Sequence, residues 1–278
     1  MKLGLSSIAY INDGKLQGKF ERTIDLILEA SEKCLNFAEK NNIAVCELLL
    51  DPPVLNSEEH IEEFVGLCNS FPKIQKQVHG PYYDLNLCSL HPNLRKAAID
   101  CYLETAAITS RIGAKIYTIH PGAAKHLNLS NRLFYVDALA SSVKILMEDI
   151  KKYNLITCIE NMQRKIGILL DLKELELFFE KVKGEEIFFC WDTSHSWTND
   201  VDVQELWNSL HDKIRNVHLV DNYQKAADSH PALGKGKIDF KEIFNVMETY
   251  DYEGAVILEI GKSKDVPESV DYIQKYFN

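Results

Sequence analysis

A short β-branched or aromatic run followed by a longer amphipathic stretch recurs eight times along the 278 residues, and this repetition limits the fold more than any other feature. The runs expected as strands are 2–6, 43–49, 75–79, 115–120, 156–160, 187–192, 214–220 and 255–260. Helices are expected between and after them, near 20–41, 57–70, 92–112, 130–152, 171–181, 202–211, 240–250 and 266–277. In the first helix Phe20, Ile24, Ile27, Leu28, Leu35 and Ala38 recur at spacings of three and four, the stripe a helix buries. Ser57 and Ser130 are expected N-caps, and Pro92 and Gly113 open and close the third helix. Strands separated by helices run parallel, and eight such units close naturally into an α/β (βα)8 TIM barrel. The alternative, an open doubly wound sheet, usually carries a Gly-rich phosphate turn. No G-x-G-x-x-G or Walker A sequence occurs, and no Pro/Gly/Ser-rich linker divides the chain. A single barrel domain over residues 1–278 is therefore expected.

No apolar run approaches the ~18–20 residues of a membrane span, and the seven cysteines form no C-x-x-C pair. A reduced, cytoplasmic protein with no membrane partner is the expectation. Cys158 and Cys190 each lie two residues before a carboxylate, on the same inward side of a strand, and are expected to fill the barrel. Lysine and arginine total 31 against 41 acidic residues, a net charge of −10, which disfavours broad attraction to nucleic acid. Divalent ions gathered at one mouth would still leave a site locally attractive to phosphate.

The ends of the expected strands carry the chemistry. His79, His120, Glu160, Asp192 with His195, His218, Asp228 with His230, and Glu259 fall there one or two at a time. Any one of these histidines alone would pass for a satisfied core residue. Four inward carboxylates at one mouth are different, because their burial and mutual repulsion call for cations. Imidazole and carboxylate are the ligands of zinc, manganese and related ions, so the set points to a metal site at the C-terminal mouth.

The local contexts are V-H-G-P-Y at 78–82, I-H-P-G at 119–122, I-E-N at 159–161, W-D-T-S-H at 191–195, V-H-L-V-D-N at 217–222, D-S-H-P-A-L-G-K-G at 228–236 and L-E-I at 258–260. In this order they resemble the endonuclease IV (family 2 AP endonuclease) and xylose isomerase-like superfamily of metal-dependent barrels. The resemblance implies up to three divalent ions, zinc in the endonuclease branch. One would sit on His79, His120 and Glu160, a second on Glu160, Asp192, His218 and Glu259, and a third on His195, Asp228 and His230. It implies hydrolysis of a phosphodiester by a metal-activated hydroxide. The sugar isomerase and epimerase branch implies instead one manganese or magnesium ion on Glu160, Asp192, His218 and Glu259. There Glu160 and Glu259 would be the catalytic acid and base on a sugar or sugar phosphate. His79, His120, His195, Asp228 and His230 have no required role in that smaller site, which favours the phosphoesterase.

Abasic DNA would be the substrate of an endonuclease IV. The loops that would grip a duplex depart from that pattern, since the second strand ends C-E-L-L-L-D-P-P (46–53) and the first S-S-I-A-Y-I-N-D-G (6–14), without histidine or arginine. Tyr82 and Lys235 are the candidate substrate-binding residues. Lys237, Arg164 and Lys165 read more readily as solvated cations, and Asn222 as a residue orienting a ligand from behind. Trp191 and Trp197 are expected to pack, and Glu47 to meet either substrate or a salt-bridge partner. His60, His91, His126 and His211 are expected to be noncatalytic.

Overall fold

The computed structural model describes residues 1–17, 20–124, 132–164 and 167–277, which leaves the expectations for His126, Ser130 and Lys165 outside the described residues. Eight parallel strands pair in chain order and close on themselves, β8 against β1. They are β1 (Lys2–Ser6), β2 (Val45–Leu49), β3 (Gln75–His79), β4 (Ile116–Ile119), β5 (Ile156–Glu160), β6 (Ile187–Asp192), β7 (Ile214–Leu219) and β8 (Ala255–Leu258). The helices are α1 (Ile8–Gln17), α2 (Thr23–Lys40), α3 (Pro52–Leu55), α4 (Glu58–Asn69), α5 (Pro92–Arg111), α6 (Arg132–Ile150), α7 (Leu172–Lys181), α8 (Thr193–Thr198), α9 (Val203–Leu210), α10 (Phe240–Thr249) and α11 (Val266–Ile273). This is the (βα)8 barrel that the eightfold pattern predicts.

Strand alternation sorts side chains into two environments. Outward residues such as Leu5, Leu48, Val78, Ile119, Trp191 and Val256 join the helices in one large apolar layer. Inside, Val45, Ala255 and Ile257 form a small apolar plug, and Ile116, Cys158 and Cys190 another. Gly4 belongs to this crowded interior, where a Cβ would lie 2.2 Å from Ile257 Cδ1. Above the plug the interior turns polar. The Gln77 amide donates to Glu47 Oε2 (2.8 Å) and Asn216 Oδ1 (3.0 Å), and Asn216 donates to Glu47 Oε2 (3.0 Å) and Thr118 Oγ1 (3.1 Å). All four side chains are fully buried.

Local capping explains where several helices begin. Ser57 accepts from the His60 amide at the start of α4, as its position predicts, and Asp171, Asp202 and Asp239 cap α7, α9 and α10. Three helices have no counterpart in the sequence reading: α1, α3 and α8. Asn12, Asp13 and Gly14 make α1 read as a turn, whereas the buried Ala9 and Ile11 hold it in the apolar layer. The short α8 starts directly at the end of β6, with Asp192 as its N-cap.

Candidate metal centre

The C-terminal strand ends bring all nine predicted metal ligands onto one connected set of contacts, with Asp228 and His230 joined to the other seven through His195. Glu160, last residue of β5, stands at the centre and divides its two oxygens. Its Oε2 lies 3.0 Å from His120 Nε2 and 3.4 Å from His79 Nε2. Its Oε1 lies 3.3 Å from His218 Nδ1 and 3.4 Å from His195 Nδ1. His79, His120 and Glu160 form one group that could hold a metal ion, and Glu160, Asp192, His218 and Glu259 form a second. His195 Nε2 and His230 Nε2 approach Asp228 Oδ2 at 3.2 and 3.0 Å.

Four of the imidazoles spend one nitrogen on the protein and turn the other toward this centre. His79 Nδ1 is 2.8 Å from the Gly80 carbonyl, His195 Nδ1 2.8 Å from the Asn161 carbonyl, and His230 Nδ1 3.2 Å from the Glu259 carbonyl. A carbonyl only accepts, so each of these contacts puts a proton on Nδ1 and leaves Nε2 as the nitrogen that would bind an ion once it gives up its own proton. His218 is turned the other way. Its Nε2 faces Glu47 Oε1 at 2.9 Å, and its Nδ1 faces Glu160 and Glu259.

Behind the ligands, hydrogen bonds fix the carboxylates. Asp192 Oδ1 accepts from the His195 amide at 2.6 Å. Asn161 ties β5 to β6, its Oδ1 accepting from the Asp192 amide (2.8 Å) and its amide donating to the Asp192 carbonyl (3.1 Å). Asn222 donates to Ser194 Oγ (2.9 Å), and Ser194 donates to Asp228 Oδ1 (2.9 Å).

The donor set fits a cation. His218 Nδ1 and Asp192 Oδ2, both in the second group, are buried and have no hydrogen-bond partner among the described residues. His79 Nε2 and His120 Nε2 lie 3.1 Å apart, both turned toward Glu160 Oε2. Electrostatics point the same way. Burial, with repulsion from Glu160, Asp228 and Glu259, pushes Asp192 up to about 7 against the pull of His195. At His79 burial opposes protonation, but the Glu160 carboxylate outweighs it and raises the imidazole to about 9. Protons and carboxylates thus share a charge balance that a divalent ion would take over.

Of the remaining candidates, Tyr82 lines the cleft above the ligands, its ring 5.6 Å from His79 and 5.3 Å from His120. Burial keeps its phenol protonated, raised above the usual tyrosine range. Lys235 is not brought in with them, because its ammonium pairs with Glu268 at 2.5 Å. Arg164 pairs with Asp200, and Lys225 lies over the Trp197 ring. Trp191 is fully buried and donates to Ser196 Oγ. Burial pushes the Cys190 thiol up to about 12, in keeping with its place in the interior filling. His60 and His211 bind the Pro53 and Trp207 carbonyls, while His91 lies on the cleft wall.

Two carboxylates matter more than the sequence reading allowed. Glu47 is the buried partner of His218, and its inward parity on β2 was the available signal. Asp221 accepts from the amides of Asn222 (2.7 Å), Gly234 (2.9 Å), Gly236 (2.7 Å) and Ile238 (3.2 Å), and so folds the loop that carries Asp228 and His230. Glu47→Gln keeps the size but not the charge behind His218. It is expected to weaken binding of an added divalent ion about 10–100-fold, measured by competition with a chelating dye, with the fold intact by circular dichroism.

The geometry defines a parallel (βα)8 barrel whose strand ends gather imidazoles and carboxylates in groups able to hold metal ions. The chain belongs to the xylose isomerase-like TIM barrel family, whose model matches residues 35–276. An uncharacterized protein of Methanocaldococcus jannaschii, MJ1311, is 21% identical over 279 aligned positions, covering 99% of this chain and 89% of that one. A probable endonuclease 4 of Finegoldia magna is 24% identical over 242, covering 81% of each chain. Among solved structures, a D-tagatose 3-epimerase-like protein superposes over 100% of this chain and 97% of its own with a TM-score of 0.81 at 21% identity, a likeness of fold. No described helix is long and apolar enough to cross a membrane.

Proposed function

We propose that this chain is a metal-dependent phosphoesterase acting on a compact phosphoester, with zinc ions at the mouth of the barrel. One observation carries the reading: the two oxygens of Glu160 face two different ligand groups, the arrangement of a carboxylate that bridges two ions. His79 and His120 would hold one ion with Glu160, and Asp192, His218 and Glu259 the other. His195, Asp228 and His230 offer a third position. Bound there, the ions would supply a nucleophilic water at neutral pH and charge for the phosphoryl oxygens.

The chain's own groups do the rest. The carbonyl-anchored imidazoles and Glu47 hold the donor atoms in place, so little reorganisation is needed as charge develops. Glu259, buried at the cleft floor beside His218, would accept the proton of the attacking water. The protonated Tyr82 phenol donates toward the phosphoryl group or the leaving oxygen. The described cleft lining contains no lysine or arginine, and β2 ends in the acidic and apolar segment 46–53, so duplex DNA is the less suited phosphodiester.

A second reading, an isomerase or epimerase of a sugar or sugar phosphate, is favoured by the compactness of the four-residue group Glu160, Asp192, His218 and Glu259. In it one manganese or magnesium ion would chelate adjacent substrate oxygens, with Glu160 and Glu259 as acid and base. Metal analysis of protein purified without chelator separates the two. Two or three zinc per chain, with hydrolysis of bis(p-nitrophenyl) phosphate, is the expected result. A single exchangeable manganese, with epimerisation of a ketose and no ester hydrolysis, would replace the first reading by the second. Zinc at a thousandfold excess over its Kd should add about 4 kcal/mol of stability. For a chain this long, melting should rise by roughly 8–15 °C, and EDTA should reverse it.

A further inference from the structure

The metal ligands form only the floor of a cavity of about 820 Å³, and a different chemistry forms its wall. Tyr82, Tyr83, Leu90, Leu94, Tyr135 and Met162 line it, contributed by the segment between β3 and α5, the first turn of α5, α6 and the segment after β5. Tyr83, Leu90 and Leu94 are 49%, 48% and 58% exposed, so large apolar side chains stand open to water beside a buried ionic centre. The volume lies in the ~300–1,000 Å³ range of sites that enclose drug-sized ligands, and an apolar wall with a few convergent polar groups is the usual form of such sites.

We propose that the natural ligand is a small amphiphile: a polar, metal-chelating end on the floor and an aromatic or branched-alkyl substituent against this wall. For the phosphoesterase this means an ester whose organic group is apolar, such as an aryl or terpenoid-like alcohol, rather than a nucleotide chain. The inference rests on the reading of the floor as a metal site and holds for either reaction. Charge and water are met below, by the ions and their ligands. The wall contributes by covering apolar surface, worth at most ~0.8 kcal/mol for each buried methylene, or up to about fourfold in affinity.

The test uses the zinc-loaded full chain and hydroxamic acids, whose head group chelates zinc while the chain length varies. Affinities from acetohydroxamate to octanohydroxamate, and for benzohydroxamate, are measured by calorimetry. Binding is expected to tighten about two- to fourfold per methylene, and benzohydroxamate to exceed acetohydroxamate at least about tenfold. In the double variant Leu90→Ser with Leu94→Ser, whose sites are solvent-exposed, the increment should fall below about 1.5-fold. Equal affinity along the series, or an increment unchanged in the double variant, would overturn the amphiphile proposal while leaving the metal site standing. Failure of every hydroxamate, acetohydroxamate included, with zinc absent from the washed protein, would overturn the metal site and this inference with it.

Discussion

On the two-ion reading, Glu160→Gln is expected to abolish turnover and to remove both of the ions that this residue would share. A glutamine presents one oxygen and one amide nitrogen, so it cannot offer an anionic oxygen to each ligand group. His79 and His120 would keep no carboxylate, and Asp192, His218 and Glu259 would lose the member that joins them to the other half of the mouth. The loss of affinity should exceed the roughly 10–100-fold that removal of an outer partner costs. Bound zinc should fall by about two per chain in elemental analysis, against a circular dichroism spectrum like that of the parent. Retention of the full metal complement would show that the carboxylate does not bridge.

Asp221→Ala is expected to have the largest effect on stability. Its carboxylate is fully buried and accepts from four backbone amides across residues 222–238, so alanine leaves those donors without an acceptor. A buried unsatisfied donor costs ~1–3 kcal/mol, and with relaxation of the loop the total should be about 3 kcal/mol or more. Melting should fall by roughly 6–12 °C. Gly236 cannot relieve the loop by accepting a side chain, because a Cβ there would lie 2.5 Å from the Asn222 carbonyl oxygen. The same segment carries Asp228 and His230, so any metal binding that uses these two residues should weaken in parallel. A variant that melts like the parent would mean that water satisfies the four amides.

The barrel and the main lines of its mouth were legible because both rest on strong periodicities. Eight alternations of apolar strand and amphipathic helix leave few closed arrangements, and parity along each strand puts a residue at or next to the strand end, such as Glu160 or His218, on the inner face. What stayed hidden depends on contacts between distant strands. Glu47 finds its partner on β7, and Gln77, Thr118 and Asn216 build their polar layer from β3, β4 and β7, a pairing that no local pattern encodes. Asp221 lay in a motif read for His218 and Asn222, and its role is visible only once the loop to Ile238 folds back. The glycine-rich setting of Lys235 points to an anion, but a lysine this exposed goes to the nearest carboxylate, here Glu268. The helix α1 was hidden by the turn-like Asn12, Asp13 and Gly14, whose preference is overridden by packing against α2.

The most direct test is anomalous diffraction at the zinc edge from crystals of the chelator-free protein. Separate peaks are expected on either side of Glu160, one coordinated by His79 and His120 and the other by Asp192, His218 and Glu259. An ordered mouth that stays without anomalous density after zinc soaking, or a single peak that leaves His79 and His120 unligated, would contradict this arrangement.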